Sequence, residues 1–323
     1  MNAVFSSLRS KLHFLLVIAL VLRGGVVWAQ TADAQLPSSQ ERIARDLELI
    51  RFSEQHHSSP LQQAVLWVEL ALEYHLGAEF PKAEDAYLRA LHLLKNVPSE
   101  RAEYASTLDN LSSLYLIYGR LDDAESTRKQ AIKLRQKLGN PAEYGETEVH
   151  LADIVIVRRQ YKKAERLALK GLQTMESSPN PPRAGILSAL ITLTYARCST
   201  GKCREGLMNA KQAVAFANKN CESEPVANGF ALQTLGFAEW KTGALQDGER
   251  AMLQAIQILR TGLSAADPRV AGAMLQYQAY LTEAHRPAEA AEIHEQVTRI
   301  TRQSGAYCQG CAVSVYSLSN TLR

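Results

Sequence analysis

Small residues recur through this chain at a nearly constant interval. In segments that resemble Lys-Ala-Glu-x-Ala they stand at Ala83, Ala124, Ala164, Gly206, Gly248 and Ala290, each about 42 residues beyond the last. A second column (Leu70, Leu111, Leu151, Leu193, Leu235, Tyr277) and a third (Ala90, Ala131, Gly171, Ala213, Ala255, Val297) keep the same step. Three columns in register define six units: 61–99, 100–141, 142–182, 183–225, 226–268 and 269–302. A period of this length marks a repeat architecture in which each unit buries its apolar face against its neighbours. Pro98, Pro141, Pro182, Pro225 and Pro268 fall between units, where a helix has to end.

Inside a unit the apolar spacing is helical. Trp67, Leu70, Ala71 and Tyr74 are followed across a short turn by Ala83, Tyr87, Ala90 and Leu94. Each unit is therefore a helical hairpin. Two antiparallel helices approach closely only where bulk is missing, which suits Ala71, Ser112, Ala152 and Gly236 facing the Ala or Gly of the second helix. Gly119, Gly201 and Gly243 mark the turns. Residues 30–60 hold a linker and one helix with Ile43, Leu47, Leu49 and Ile50, expected to cap the open end of the stack. Residues 303–323 are a tail or second cap, weakly amphipathic over 312–322.

The stretch from Leu108 to Tyr115, with Gly119 to Glu125 and Ala131 to Pro141, resembles the tetratricopeptide repeat in the longer form found in kinesin light chain and many bacterial proteins. The resemblance runs from Leu61 to about Gln303; the third unit, with Arg159 at its turn, and the sixth, with His285 and Pro287, depart from the pattern. It implies an all-α, right-handed solenoid whose first helices line a concave groove that receives peptides. In the fifth unit Leu232, Leu235 and Gly236 are expected to pack, leaving Phe230, Gln233, Phe237 and Trp240 as a separate stripe, with Tyr195 and Ile191 at the matching place one unit earlier. Tyr195, Phe230, Gln233, Phe237 and Trp240, with Asn110, are the expected groove residues; in the competing reading Phe237 and Trp240 pack on the next unit. Light-chain-like repeats that clamp a peptide carry Asn on the groove face of most units. Here Asn110 matches, and Glu69, His150, Thr192, Thr234 and Gln276 stand in the other units. Asp109, Asn110, Glu146, His150 and Asp153 come near one another by repeat geometry and are read as solvated groove polarity rather than a metal or catalytic centre.

Charge narrows the partners. The chain has 36 Lys and Arg against 33 Asp and Glu, and the excess is carried by Arg9, Lys11 and Arg23. The remainder is neutral, without the basic excess that neutralises nucleic-acid phosphates. Those basic residues flank the apolar run from Phe14 to Leu22, and small residues suited to signal peptidase follow at Ala29 and Ala34. A signal peptide over 1–29, cleaved after Ala29 or less favourably Ala34, makes the mature chain periplasmic or secreted, with no membrane insertion afterwards. All five Cys lie downstream. Cys198 and Cys203 flank the turn of the fourth unit and are expected to form a disulfide; Cys308 and Cys311 are read as a local disulfide in the tail. The sequence holds no Gly-rich phosphate loop, no His-Glu-x-x-His and no Gly-x-Ser-x-Gly. The reading is a non-catalytic scaffold that binds a protein or peptide, without metal or cofactor. The alternatives are a thiol redox protein using Cys308 and Cys311, or a structural subunit of an envelope assembly that makes its contacts through the ends of the stack.

Overall fold

Pro60, Pro141, Pro225 and Pro268 each sit in the first turn of a helix, where the missing N–H costs nothing and the fixed φ suits the helix. Three of the period-keeping prolines thus open the next unit. Side chains secure several of these starts. Ser59 accepts from the Gln62 amide while the Gln62 side chain accepts from the Ser59 amide, and Asn140 and Asp267 accept from amides two residues on.

The computed structural model describes residues 39–304, apart from 78, 222, 223 and 264–266, and these form thirteen α-helices and no strand. The cap is α1 (Ser39–Gln55). The six hairpins are α2 (Pro60–Leu76) with α3 (Phe80–Leu94), α4 (Arg101–Ile117) with α5 (Leu121–Leu138), α6 (Pro141–Val157) with α7 (Tyr161–Glu176), α8 (Arg183–Cys198) with α9 (Cys203–Asn220), α10 (Pro225–Lys241) with α11 (Leu245–Gly262), and α12 (Pro268–Glu283) with α13 (Pro287–Ser304). Each second helix packs on its own first helix and on the first helix of the next unit. Among the described residues no helix is long and apolar enough to cross a membrane. The expected signal peptide and the pair Cys308 and Cys311 lie outside the described residues.

The crossings are as tight as the small columns require. A Cβ on Gly171 would lie 2.5 Å from the Gly145 carbonyl oxygen, and one on Gly248 would lie 2.9 Å from that of Gly236. Where the first helix carries a hydroxyl instead, it bonds across the crossing: Ser112 donates to the Ala124 carbonyl at 2.7 Å and Thr194 to that of Gly206 at 3.3 Å. A further column joins unit to unit. Glu84, Glu125, Glu165 and Glu249, each following a small residue of the first column, pair with side chains of the next unit: Arg120 and Tyr115, Arg158 and Lys163, Arg197 and Lys202, Arg286 and Tyr277. At one end Ile50 of α1 covers Leu66 and Leu70, and Arg42 pairs with Glu73 at 2.8 Å. The apolar core has two main bodies. One runs from Ala71 to Leu151 and Ile154 on α6, the other from Ala152, Val155 and Ile156 on the same helix to Ile300 on α13.

The turns explain the two irregular units. Gly119, Gly201 and Gly243 have φ of 77°, 81° and 91°; the third and sixth units bend the same way, with Arg159 at 58° and His285 at 56°. Both side chains are exposed, so nothing but the bend is served there, and a residue with a Cβ is strained in it. Arg159→Gly and His285→Gly should each stabilise the protein by about 0.5–1 kcal/mol, the steric relief less the entropy that glycine adds to the unfolded chain. Thermal melting of the single variants checks this; an unchanged or lower midpoint refutes it.

Candidate functional site

The first helices do not pack only within their units. α6 touches α8, α8 touches α10, and Gln276 on α12 donates to the Tyr195 hydroxyl on α8 at 3.3 Å, across the intervening unit. That contact identifies the inner face of the stack, where side chains of units four and six meet.

The aromatic stripe lies on this face and is used up by packing. Tyr195, Phe230, Gln233 and Trp240 are buried, at 5, 5, 5 and 8% exposure, and Phe237 is half-buried. Ring centroids run Tyr195 to Phe237 at 4.7 Å, Phe237 to Trp240 at 6.1 Å, and Trp240 to Tyr280 of the next unit at 5.9 Å. Burial pushes the Tyr195 hydroxyl up to about 12. The expectation that these residues form a surface the core does not need is thereby corrected. The curvature that brings α8, α10 and α12 together turns the stripe into a seam between units. Asn110 is buried as well.

The polar residues of the early units are not a solvated surface either, a second correction: Asn110, His150 and Asp153 are buried, and Asp109 and Glu146 are half-buried. Arg128 is fully buried and Arg135 nearly so. Arg128 donates to Asp109 at 2.8 Å and to the Ser113 hydroxyl at 3.0 Å, and its Nη1 lies 3.4 Å from His150 Nδ1. Arg135 donates to the other Asp109 oxygen at 2.9 Å, to Ser106 at 3.2 Å, and to Glu143. Thr147 adds a hydrogen bond to Asp109 at 3.1 Å. Burial alone would raise the Asp109 carboxyl, but the Arg135 and Arg128 guanidiniums outweigh it and hold the group below its ordinary range. One acid thus anchors two second-helix cations beneath the inner face.

Sequence reasoning missed both arginines, although the signal is present in the registers. Arg128 occupies the column of Tyr87, Ala168, Ala210, Met252 and His294; Arg135 that of Leu94, Met175, Ala217, Leu259 and Thr301; Asp109 that of Val68, Val149, Ile191, Gln233 and Leu275. Three charges fall within one unit in registers that are mostly apolar elsewhere, and charges in core registers must be paired. Reading down the columns instead of along the helices exposes them.

Beside this network Asp153 stands on α6, almost wholly buried. It accepts from Thr192 on α8. Burial is the main influence on it, opposed by that hydrogen bond and by the Arg128 cation, and pushes its carboxyl up to about 8. Its neutral form is the folded form at pH 7. His75, also buried, moves the other way: burial chiefly, with the Arg269 cation adding and Asp267 opposing, brings it down to about 4.

The signs give a pH profile. Folded Asp153 holds a proton that the unfolded chain has lost, so stability falls as pH rises from about 4 to about 8, by about 1.4 kcal/mol per unit at most. His75 acts oppositely between about 6.5 and about 4, where the unfolded chain binds the extra proton. The two slopes cancel at mildly acid pH and leave Asp153 alone above about 6.5. Asp153→Asn, which keeps the neutral shape, should therefore gain stability over the parent progressively from pH 6.5 to 8. Parallel melts across that range check it; a difference independent of pH refutes it.

Cys198 and Cys203 are joined by a disulfide between the end of α8 and the start of α9, with Cα atoms 3.8 Å apart. Gly206 leaves room for it: a Cβ there would lie 2.8 Å from the Cys198 sulfur. Cys221 is free and buried. Among the described residues no three His, Cys, Asp or Glu converge as metal ligands would.

No family model matches the sequence, and no curated protein matches it. Solved structures match the fold. RapI in its apo form aligns with a TM-score of 0.67 at 13% identity, over 82% of this chain and 93% of that one. The Rap conjugation gene regulator of the plasmid pLS20, in complex with the Phr* peptide, aligns at 0.56 and 11%, over 86% and 82%. A tetratricopeptide repeat protein from Parabacteroides merdae aligns at 0.52 and 15%, over 88% and 96%. At these identities the likeness is one of fold, and the fold is that of the tetratricopeptide-like helical-repeat solenoids.

Proposed function

We propose that this protein is a non-catalytic scaffold of the bacterial cell envelope or secreted fraction, and that it binds a peptide or an extended protein segment along the inner face of its first helices. The observation that carries this reading is one register. Glu69, Asn110, His150, Thr192, Thr234 and Gln276, one per unit, place a hydrogen-bonding side chain at the same point of all six first helices. Asn110, His150, Thr192, Thr234 and Gln276 are buried, and Thr192, Thr234 and Gln276 already donate to Asp153, the Phe230 carbonyl and Tyr195. A peptide on this row would use the hydrogen-bonding capacity left over, such as Gln276 Oε1, which is buried without a partner among the described residues. The same fold binding the Phr* peptide supports it. The envelope location rests on the succession of basic, apolar and small residues over positions 1–29.

The test is capture of partners from the native cell envelope with the chain from Gln30 to Arg323, beside an Asn110→Leu, Thr234→Val, Gln276→Leu variant shown by melting to be folded. A partner held by the parent and lost by the variant supports the reading. Equal retention moves binding off the inner face, and no partner in any fraction removes the scaffold function.

A further inference from the structure

The second helices pack behind the first helices, on the side away from the inner face. Their outermost registers follow one another at steps of three or four residues, which is one helical face. Over three successive units this outward ridge is basic. Lys133 and Lys137 of α5, Lys162 and Arg166 of α7, and Lys211 and Lys219 of α9 all lie on it, and all are exposed. Lys129 and Lys170 nearby pair with Glu125 and Glu148, but among the described residues these six pair with no carboxylate. The acid that shares their registers in these helices is Asp122, which Arg158 holds. At the ends of the stack the ridge is different: α3 has Asp85, Leu88 and His92 there, and α13 has Glu292, Glu295 and Arg299.

The acids of the central units lie on the other side. Helix α6 carries Glu143, Glu146, Glu148 and Asp153 and neither Lys nor Arg. Charge is therefore separated across the stack, although the chain beyond residue 29 is neutral. Unpaired like charges on neighbouring helices repel, so the ridge calls for an anionic partner. All of the six but Arg166 are lysines, flexible point charges without the fork that grips one carboxylate. They suit a field of phosphates better than a defined acidic side chain. Apolar side chains stand among them: Met208 of α9 is 65% exposed, and Leu253 of α11, on the same ridge, 47%. Against a nucleic-acid backbone these two gain little, whereas at a bilayer they reach the boundary between headgroups and acyl chains.

We propose that the outward ridge of units two to five docks on an anionic phospholipid bilayer. Its cations meet the headgroup phosphates and Met208 and Leu253 enter between them. The inner face then points away from the bilayer, open to a partner.

Sedimentation of the full chain with vesicles of phosphatidylcholine, alone or mixed with phosphatidylglycerol, tests this. Two variants with the same change of charge accompany the parent, each shown by melting to be folded: Lys133→Glu, Arg166→Glu, Lys211→Glu on the ridge, and Lys82→Glu, Lys95→Glu, Arg302→Glu at exposed positions off it. The apolar run from Phe14 to Leu22 is common to all three proteins and cannot produce a difference between them. The parent and the off-ridge variant should bind the mixed vesicles in preference to the neutral ones, and the ridge variant should lose about a hundredfold or more in affinity. Equal binding to both vesicles, binding to neither, retention by the ridge variant, or an equal loss in the off-ridge variant each overturns the proposal. A parent that binds a DNA duplex or polyglutamate but not the mixed vesicles gives the ridge to a soluble polyanion and overturns it too.

Discussion

Replacing Asp109 by Ala should cost about 3–5 kcal/mol, because two buried guanidiniums lose the acid they share. Arg128 is fully buried and has its carboxylate partner at 2.8 Å; Arg135 keeps Glu143, whereas Arg128 loses the carboxylate it pairs with and keeps Ser113 and His150 beside it. The loss measures the stranded charge, not the net value of the pairs. A second variant separates the two. Asp109→Val, Arg128→Met and Arg135→Leu together restore the residue types that other units carry in those registers, and replacing a whole buried ionic group by apolar residues of similar volume is neutral or stabilising. Denaturant unfolding of both proteins gives the answer. If the triple variant is as unstable as Asp109→Ala, the network contributes through packing geometry rather than charge; if Asp109→Ala is nearly neutral, the arginines reach water without it.

Trp240→Ala should also be severe, at about 3–5 kcal/mol, the range for emptying a buried indole site. Trp240 is 8% exposed, meets Phe237 and Tyr280 edge-on, and has the Lys241 ammonium 3.5 Å from its ring centroid. The cavity would open between the fifth and sixth units, so the far end of the stack loosens first. Melting checks the size of the effect, and exchange of α12 amides checks its place. A loss below about 1 kcal/mol would return Trp240 to the surface and revive it as a binding anchor.

Much of the fold is legible in the sequence because the stack repeats one solution six times. The columns led by Ala83, Leu70 and Ala90 set the hairpins and their crossings without reference to anything distant. What was not legible depends on relations between units. Sorting Phe230, Gln233, Phe237 and Trp240 into a free stripe assumes that a first helix meets only its own partner helix. The Gln276 to Tyr195 bond shows that curvature supplies a second neighbour two units away, and curvature is not written in a single repeat. The polar centre was hidden for another reason. Asp109, Arg128 and Arg135 look ordinary on their own helices and become anomalous only beside their counterparts. Arg159 and His285 were visible as departures, but a Cβ tolerated at φ above 50° is a property of the backbone, not of the pattern.

Helix α6 gives Leu151 and Ile154 to one apolar body and Ala152, Val155 and Ile156 to the other, while Thr147, His150 and Asp153 run along the same helix. The two bodies meet on this one helix and share Leu167 of α7, which packs against both. Repeat arrays hold together by neighbour-to-neighbour terms, so a lesion in α6 would be felt by both bodies at once, whereas one at either end would reach only one of them directly.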